Sequence, residues 1–306
     1  VITIITVNYV VAVDVGGTEI KSALVDSDFN VIATKNIKTP KADTTGVETV
    51  RAIKAIVTEF AQHQTIAAVG LVVPGTLDEP TGTSRWAGNL QWNNLPIRNL
   101  LAEAINMPVA FSHDVRTAAV AEMRSGAVKD AQNAIFIPVG TGIAAALIID
   151  GEIRSAEGFA GEIGHVDVRG KYSCVCGKTG CLEAASSTLA ISKAYESQSG
   201  KTGVTTEEIY KLVVAGDPIA IHVWNDATSA MARACEVLIT ILAPEVIVFG
   251  GGLSNAGETF LKPIREYLDS SLTFQRKPRL EIAHYKSQAG AIGCAMLAFD
   301  LVKAGK

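Results

Sequence analysis

The chain has 306 residues, of which 48% are hydrophobic and 19% charged, and its formal net charge is −4. This composition is typical of a globular protein long enough for two domains, and it lacks the basic excess that nucleic-acid binding requires. The longest apolar runs are too short to span a membrane and no basic segment precedes the first, so we expect neither a membrane anchor nor a signal peptide.

Apolar strands alternate with helices along the first part of the chain. The hydrophobic pattern predicts strands at 10–14, 19–26, 31–38, 67–73 and 108–114. Helices are predicted at 46–64, 95–106 and 114–125, and residues 85–96 have the composition of a loop. This alternation predicts an α/β fold.

The pattern of the first strands recurs later in the chain. Residues 133–153 again predict a strand, a glycine turn and a strand, which indicates an internal duplication and a second domain of similar topology. Mostly helical sequence at 188–242, a strand from 245, and helices from about 257 and at 290–304 follow. We expect a small α/β domain of residues 1–112 with the C-terminal helix 290–306, and a large one of residues 113–289.

Glycine turns follow three of the apolar strands, at 14–19, 139–144 and 249–254. Glycine permits a positive φ and a close approach of the backbone, so consecutive N–H groups can surround phosphate oxygens. The turns match neither a P-loop nor a dinucleotide fingerprint, and a single glycine turn at a strand end is common without any ligand. Asp14 beside the first turn is a candidate for holding Mg²⁺ through water, although turn chemistry alone also explains an aspartate there.

Asp114 follows a predicted strand and begins a predicted helix. Aspartate is a favoured N-cap, so capping alone accounts for many residues of this kind. A carboxylate at a helix N-terminus is also kept ionised by the helix dipole. It can then accept a proton from a sugar hydroxyl that attacks a phosphoryl group. The residue by itself leaves both roles open.

Side chains that can bind a metal ion lie close together between residues 165 and 183. The candidate ligands are His165, Cys174, Cys176 and Cys181. Their types and spacing fit a closed, structural Zn²⁺ site, and Gly177 and Gly180 allow the loop to fold tightly around an ion. Clustered thiols also favour a reduced, cytoplasmic environment over a disulfide framework. Glu162 and Glu183 flank the ligands, and a histidine fixed beside two glutamates suits a ligand rich in hydroxyls.

Together these stretches resemble the ROK family of sugar kinases, repressors and related proteins. The resemblance covers nearly the whole chain and is carried by "DVGGTEIKSALVD", "GEIGHVDV" and "CVCGKTGCLE". The last two are similar to the family signature ExGH followed by CxCGxxGCxE. The resemblance implies an actin-like ATPase (ribonuclease H-like) fold with two α/β domains around a central cleft. It also implies ATP-dependent phosphorylation of a hexose at the 6-hydroxyl, with glucose the first candidate, Mg²⁺ and structural Zn²⁺ as further cofactors, and a homodimer by analogy.

The resemblance also implies a role for individual residues. The implied contacts of the ATP phosphates are Asp14, Gly16, Gly17, Thr18, Gly140, Thr141 and Gly142, and those of the adenosine are Gly251 and Gly252. The implied hexose contacts are Gly75, His113, Asp114, Glu162, His165 and Glu183, with Asp114 as the catalytic base. Zinc is implied at His165, Cys174, Cys176 and Cys181. The chain departs from the family pattern at His113 and Arg116, where asparagine is usual, and at Ala144, where glycine is common.

Several alternatives remain open. The alternative acceptors are mannose, N-acetylmannosamine and fructose, and the alternative donor is polyphosphate. Because His113 replaces an asparagine, a non-catalytic sugar sensor is a further alternative. An actin-like assembly ATPase has no need of the cysteine segment. Family regulators carry a DNA-binding domain before the first glycine turn, whereas thirteen residues precede Asp14 here.

Overall fold

A computed structural model describes residues 9–305 of the chain. The described residues form two compact α/β units, the first made of 9–124, 156–159 and 288–305, and the second of 125–155 and 160–287. The sequence placed the first boundary at residue 112, whereas the helix that starts at Asp114 packs with the first unit. Its backbone approaches Gly293 so closely that a Cβ atom there would lie 1.9 Å from the Thr117 carbonyl oxygen. Between residues 9 and 305, no helix is long and apolar enough to cross a membrane.

The strands and helices alternate along the described residues. The strands are β1 (Tyr9–Val15), β2 (Glu19–Val25), β3 (Val31–Lys38), β4 (Ile66–Val73), β5 (Thr76–Asp78), β6 (Thr83–Ala87), β7 (Trp92–Leu95), β8 (Val109–His113), β9 (Ala134–Pro138), β10 (Ala146–Ile149), β11 (Glu152–Arg154), β12 (Val246–Gly250) and β13 (Arg279–Ile282). The helices are α1 (Val47–Phe60), α2 (Ile97–Ile105), α3 (Asp114–Ser125), α4 (Glu183–Ser186), α5 (Thr188–Ser199), α6 (Thr206–Val214), α7 (Pro218–Leu242), α8 (Glu258–Ser271) and α9 (Ala289–Lys303).

The first unit is built on a five-stranded sheet in the order β3-β2-β1-β4-β8. β1, β2 and β3 are antiparallel neighbours, whereas β4 and β8 run parallel to β1. β1 is buried on both faces: Val11 and Val13 pack in the core that holds α1 and α2, and Val10 and Ala12 pack against α9. Because parallel strands end at the same edge, the residues that follow β1, β4 and β8 lie along one edge of this sheet.

The second unit repeats this arrangement with a sheet in the order β11-β10-β9-β12-β13. The three hairpin strands are again antiparallel, and β12 and β13 are again parallel to the first of them. The duplication predicted from residues 133–153 is therefore confirmed. The 25-residue helix α7 supplies much of the core on one side, because its buried face carries small and apolar residues that let neighbouring helices approach.

The loop predicted at 85–96 is wrong. Those residues contribute β6 and β7 to a three-stranded sheet in the order β5-β6-β7. Trp92 is 1% exposed and donates its indole N–H to the carbonyl oxygen of Asp43 at 2.8 Å, so it anchors this sheet in the core. The polar composition that predicted a loop reflects the connection between the two strands, where Gln91 has a φ of 58°. Such short strands carry too few residues to show an alternating pattern.

Candidate active site

The structure distributes the predicted site residues over both units. Asp14, Gly16, Gly17, Thr18, Gly75, His113 and Asp114 belong to the first unit, and Gly140, Thr141, Gly142, Glu162, His165, Cys174, Cys176, Cys181, Glu183, Gly251 and Gly252 belong to the second. The residues of the first set, and Gly140, Thr141, Gly142, Gly251 and Gly252 of the second, lie at or just after the end of a strand. The remaining residues of the second set lie between 162 and 183, in the segment that connects β11 to the helices of that unit.

The first glycine turn joins β1 to β2 through residues 16–18. The Gly16 N–H donates to the Glu19 carbonyl oxygen at 3.0 Å, and Thr39 holds the turn by donating its N–H to Thr18 and its hydroxyl to Gly16. Gly17 and Thr18 form the exposed tip. Neither Gly16 nor Gly17 has a positive φ; a Cβ atom at Gly17 would instead lie 2.9 Å from the Cβ of Asn89. Glycine is therefore required here for close packing, and not for its backbone freedom.

Two carboxylates occupy the strand-end edge of the first sheet. Asp14 lies in β1 and Asp114 follows β8 directly. The pKa of Asp14 is raised to about 6, mainly by burial and also by the nearby carboxylate of Asp114, whereas Lys21 on the neighbouring strand opposes the rise. The two groups are thus close enough for repulsion to disfavour charging both. Such a pair of hard oxygen donors fits a divalent cation such as Mg²⁺, which would relieve that repulsion.

Asp114 is the first residue of α3, as predicted, and its side chain is 42% exposed. Its Oδ1 accepts a hydrogen bond from the Val115 N–H at 2.7 Å, and the Nδ1 of His113 lies 3.1 Å away. Partial burial raises the pKa of Asp114, while the Val115 N–H and the Arg116 guanidinium oppose that shift. The carboxylate is thus both held in place and open to solvent, as a group that exchanges a proton with substrate must be.

The segment around Asp114 is bonded to a residue that was not predicted from the sequence. Oε1 of Glu79, in the turn after β5, accepts hydrogen bonds from the Ser112 hydroxyl at 2.8 Å, the His113 N–H at 3.2 Å and Arg116 Nε at 3.4 Å. The pKa of His113 is lowered to about 4, mainly by burial and also by the Arg116 charge, while Glu79 opposes the shift, so the imidazole is neutral at pH 7. A buried arginine needs a carboxylate partner, but the sequence shows neither that Arg116 is buried nor which distant carboxylate pairs with it.

Gly75 follows β4 and needs to be glycine for two reasons. Its φ is 99°, a value that side chains rarely adopt, and a Cβ atom there would lie 2.2 Å from the Trp86 carbonyl oxygen. The Pro74–Gly75 turn therefore lets β6 pass close to the end of β4. This places the Gly75 backbone at the same edge of the sheet that carries Asp14 and Asp114.

The second glycine turn lies between β9 and β10. The Gly140 N–H donates to the Gly142 carbonyl oxygen at 3.1 Å, and Thr141 and Gly142 are exposed. Two bonds hold this loop to the segment after the cysteines: Thr188 N–H to the Gly140 carbonyl oxygen at 2.8 Å, and Ile143 N–H to Glu183 Oε2 at 2.9 Å. A Cβ atom at Gly142 would lie 2.8 Å from that same carboxylate oxygen.

The third glycine turn follows β12 and lies against the second. Gly251 has a φ of 73°, and a Cβ atom there would lie 2.4 Å from the Val139 carbonyl oxygen, so the two turns are in backbone contact. Beside Gly252 the second unit has a cavity of about 470 Å³. Its lining includes Gly252, Leu253, Thr188, Tyr210, Lys211 and Trp224. A cavity of this size with aromatic walls and a few polar groups suits a small organic ligand.

The four predicted metal ligands converge in the second unit. The ligand atoms of His165, Cys174, Cys176 and Cys181 all lie within 4.8 Å of one another. Cys174 Sγ is 3.6 Å from His165 Nδ1, and Cys176 Sγ is 3.6 Å from Cys181 Sγ. Zinc–sulfur bonds of about 2.3 Å at tetrahedral angles place two sulfurs roughly 3.8 Å apart, so the set fits Zn²⁺. The positive φ values of Gly177 and Gly180, 89° and 95°, close the loop as expected.

The two predicted glutamates sit close to this metal cluster in the chain. Glu162 is exposed and precedes the short turn that carries His165, whose N–H donates to the Glu162 carbonyl oxygen at 3.1 Å. Glu183 begins α4, two residues after Cys181, and reaches the glycine loop through Ile143. Glu183 also lines a cavity of about 510 Å³ that extends past Thr141, Cys174 and Leu189. The structure thus connects the cysteine segment to the second glycine turn through one carboxylate.

Comparison with known proteins gives consistent findings. The ROK family model matches residues 10–300. A glucokinase from Halalkalibacterium halodurans is 33% identical over 305 residues, which is 92% of each chain. An N-acetylmannosamine kinase from Citrobacter koseri is 28% identical over 94% of this chain and 97% of its own. The crystal structure of a ROK family glucokinase from Streptomyces griseus, in complex with glucose and AMPPNP, matches 96% of this chain and 100% of its own with a TM-score of 0.82 and 27% identity. The expected actin-like ATPase fold is confirmed.

Proposed function

Because the chain belongs to the ROK family and is a sugar kinase, we propose that it phosphorylates glucose at the 6-hydroxyl with ATP as the donor. The observation that supports this most is the carboxylate of Asp114, which is held at the N-terminus of α3 with a raised pKa and remains open to solvent. A base of this kind needs a basicity near the working pH and reach to the hydroxyl.

In the proposed reaction Asp114 accepts the proton of the 6-hydroxyl as that oxygen attacks the γ-phosphorus of ATP. The bond from the γ-phosphorus to the bridging oxygen breaks, and ADP leaves with the electron pair. Asp114 must be ionised to act, so its activity is present above its pKa and is lost as the pH falls through it. The neutral imidazole of His113 and the backbone of Gly75 are proposed to bind hydroxyls of the sugar.

We propose that the glycine turns bind the nucleotide. The exposed residues Gly17, Thr18, Thr141 and Gly142 present backbone N–H groups to the phosphates, while Gly16 and Gly140 hold the two turns in shape through their own hydrogen bonds. The cavity beside Gly252 takes the adenosine. Asp14 would hold Mg²⁺ through water. That ion supplies positive charge to the transferring phosphoryl group when it is bound.

We propose that the cysteine cluster holds a structural Zn²⁺. With all four positions filled by protein ligands, the ion has no open position for chemistry. His165 faces Cys174 through Nδ1, which leaves Nε2 for a hydroxyl of the hexose. Glu162 and Glu183 complete the proposed sugar contacts in the second unit, and the ion fixes the backbone that carries them.

A second acceptor, N-acetylmannosamine, is favoured by one relative and by one departure from the family pattern. The Citrobacter koseri relative is an N-acetylmannosamine kinase. His113 replaces the usual asparagine, and a neutral imidazole offers one donor and one acceptor where an amide offers two N–H donors and a carbonyl oxygen. The sugar contacts of this chain thus differ from the common set at one position.

The proposal is tested with purified protein against a panel of acceptors and donors. Glucose, mannose, fructose and N-acetylmannosamine are each assayed with ATP and with polyphosphate, and kcat/KM is compared. We expect glucose with ATP to give the highest value. A higher kcat/KM for another sugar reassigns the acceptor, and sugar binding without any phosphorylation contradicts the kinase in favour of a sensor. Light scattering in the same buffer tests the proposed homodimer, and we propose a cytoplasmic location for it.

A further inference from the structure

Glu79 stands out among the carboxylates of the first unit because of the donors that converge on it. A single oxygen, Oε1, receives the hydroxyl of Ser112, the N–H of His113 and the Nε–H of Arg116. These donors belong to the end of β8 and the first turn of α3, and they lie on both sides of Asp114 in the chain. Glu79 itself comes from the turn after β5, a different part of the fold.

Arg116 explains why this carboxylate is needed. The residue is 5% exposed, and its Nη2 is buried without a hydrogen-bond partner among the described residues. A buried guanidinium is costly unless a carboxylate pairs with it, and the pairing here is through Nε to Glu79. Because Arg116 sits on the first turn of α3, the ion pair fixes that turn relative to the turn after β5.

We propose that Glu79 is a positioning residue that fixes the carboxylate of Asp114 for proton transfer. Bonds to His113 and Arg116 clamp the backbone on either side of the base, and the bond to Ser112 fixes the end of the strand that precedes it. The proposal rests on the proposed role of Asp114 as the base. A displacement of about 1 Å at a reacting group can cost roughly 10²-fold in rate, so a clamp of this kind is expected to act on kcat.

The first test uses two single substitutions. One keeps the buried Glu79–Arg116 ion pair, and the other replaces the carboxylate oxygen of Glu79 by an amide oxygen. Ser112→Ala removes the shortest bond to Glu79, and Glu79→Gln retains a carbonyl oxygen for Ser112 and His113. We expect Ser112→Ala to lower kcat by about 3–10-fold and Glu79→Gln to stay within about threefold of wild type, with KM for ATP unchanged in both. Glu103→Ala, at an exposed site on α2, is the matched control.

The second test removes the clamp altogether. Glu79→Ala alone leaves Arg116 buried without its partner and is expected to destabilise the fold. The double variant Glu79→Ala/Arg116→Asn removes both charges, so the fold is retained while Asp114 loses its clamp. Removing Arg116 also raises the pKa of Asp114, so kcat is taken from the high-pH plateau of the pH profile, where Asp114 is ionised in both proteins. We expect this plateau kcat per folded molecule to fall by about 10–100-fold, with KM for ATP within about twofold of wild type.

The outcomes separate this inference from the proposed function. If the protein phosphorylates sugar and Asp114→Asn abolishes turnover, but the double variant and Ser112→Ala both keep wild-type kcat, Glu79 does not position the base and the inference is overturned. If Asp114→Asn leaves turnover intact, the proposed role of Asp114 fails instead. A loss of kcat in the double variant that Glu79→Gln does not show supports the inference, because a purely structural role would change the melting temperature and leave kcat per folded molecule unchanged.

Discussion

The two sheets of the molecule have the same strand order and pairing, but their strand ends carry different chemistry. In the first unit the edge beyond β1 and β8 carries the carboxylates of Asp14 and Asp114, which raise each other's energy when both are charged. In the second unit the ends of β9 and β12 carry uncharged backbone, with Val139 in contact with Gly251. The first unit thus adds ionisable groups beside its glycine turn, whereas in the second unit two glycine turns pack against each other and offer N–H groups that can face phosphate.

The loops that follow the first strand of each sheet differ in the same way. The β1–β2 turn is residues 16–18 and is held by Thr39, the residue that follows β3. The β9–β10 loop is residues 139–145 and is held by Glu183, directly after the metal cluster. The shorter turn is fixed within its own sheet, whereas the longer loop depends on the cysteine segment. Substitutions in each unit test this difference between the two sheets.

The largest effect is expected from the first sheet. Asp114→Asn keeps the shape of the side chain and removes its basicity, so kcat should fall by roughly 10²–10⁴-fold while the affinities for sugar and ATP change little. Asp130→Asn, at an exposed site in the second unit, is the control. Steady-state kinetics and equilibrium binding measure the two quantities. Near-normal kcat would show that the carboxylate at this sheet edge is not the base.

A smaller effect on sugar binding is expected from the metal cluster. Cys176→Ser removes one of four ligands, so Zn²⁺ should be lost and the affinity for hexose should fall by about 10–100-fold as His165 loses its fixed orientation. Val175→Ser, in the same exposed loop, is the control. Metal analysis and calorimetric titration give the two readouts. Full zinc content together with unchanged sugar affinity would contradict a role for this cluster in the site.

The contact between the second and third glycine turns is tested by a pair of alanine substitutions. Gly251 and Gly257 both have backbone conformations that side chains rarely adopt, with φ and ψ of 73° and −177° at Gly251 and of 55° and −127° at Gly257. A Cβ atom at Gly251 meets the Val139 carbonyl oxygen, whereas at Gly257 it meets nothing within 4 Å. Gly257→Ala should cost about 1–3 kcal/mol through backbone strain alone, and Gly251→Ala about 2 kcal/mol more together with weaker ATP binding. Equal losses in the two variants would show that the close approach of the turns is unimportant.

The smallest effect is expected for the carboxylates of Asp14 and Asp114 when no metal ion is bound to them. The pKa of Asp14 is raised to about 6 in the folded protein, above its value in an unfolded chain, so folding favours the protonated form. Its stabilising contribution is present at low pH and is lost as the pH rises through about 6. In chelator, Asp14→Asn should therefore raise the free energy of unfolding at pH 8 by up to about 3 kcal/mol and change it little at pH 4. If Asp14→Asn instead has a lower free energy of unfolding than the wild type at pH 8, Asp14 and Asp114 do not repel each other as described.

Sites whose residues lie close together in the sequence were predictable, whereas contacts between distant segments were not. The cysteine spacing predicted the metal cluster because its ligands lie within one tight loop. The position of Asp114 at the head of a helix followed from the switch between a strand and a helix pattern. Glu79 gave no signal, since its partners lie more than thirty residues away. Gly17 was predicted only as part of a glycine turn; the close approach of Asn89, which the sequence cannot show, is what requires glycine there.

The most direct test of the proposed phosphotransfer is the stoichiometry of a single reaction. ADP release and hexose 6-phosphate formation are measured together, with ATP and Mg²⁺, in the presence and absence of glucose. Phosphoryl transfer assisted by Asp114 predicts one sugar phosphate for each ADP, and very little ADP without sugar. ADP release at the same rate without sugar, or in its presence with no sugar phosphate formed, would contradict it.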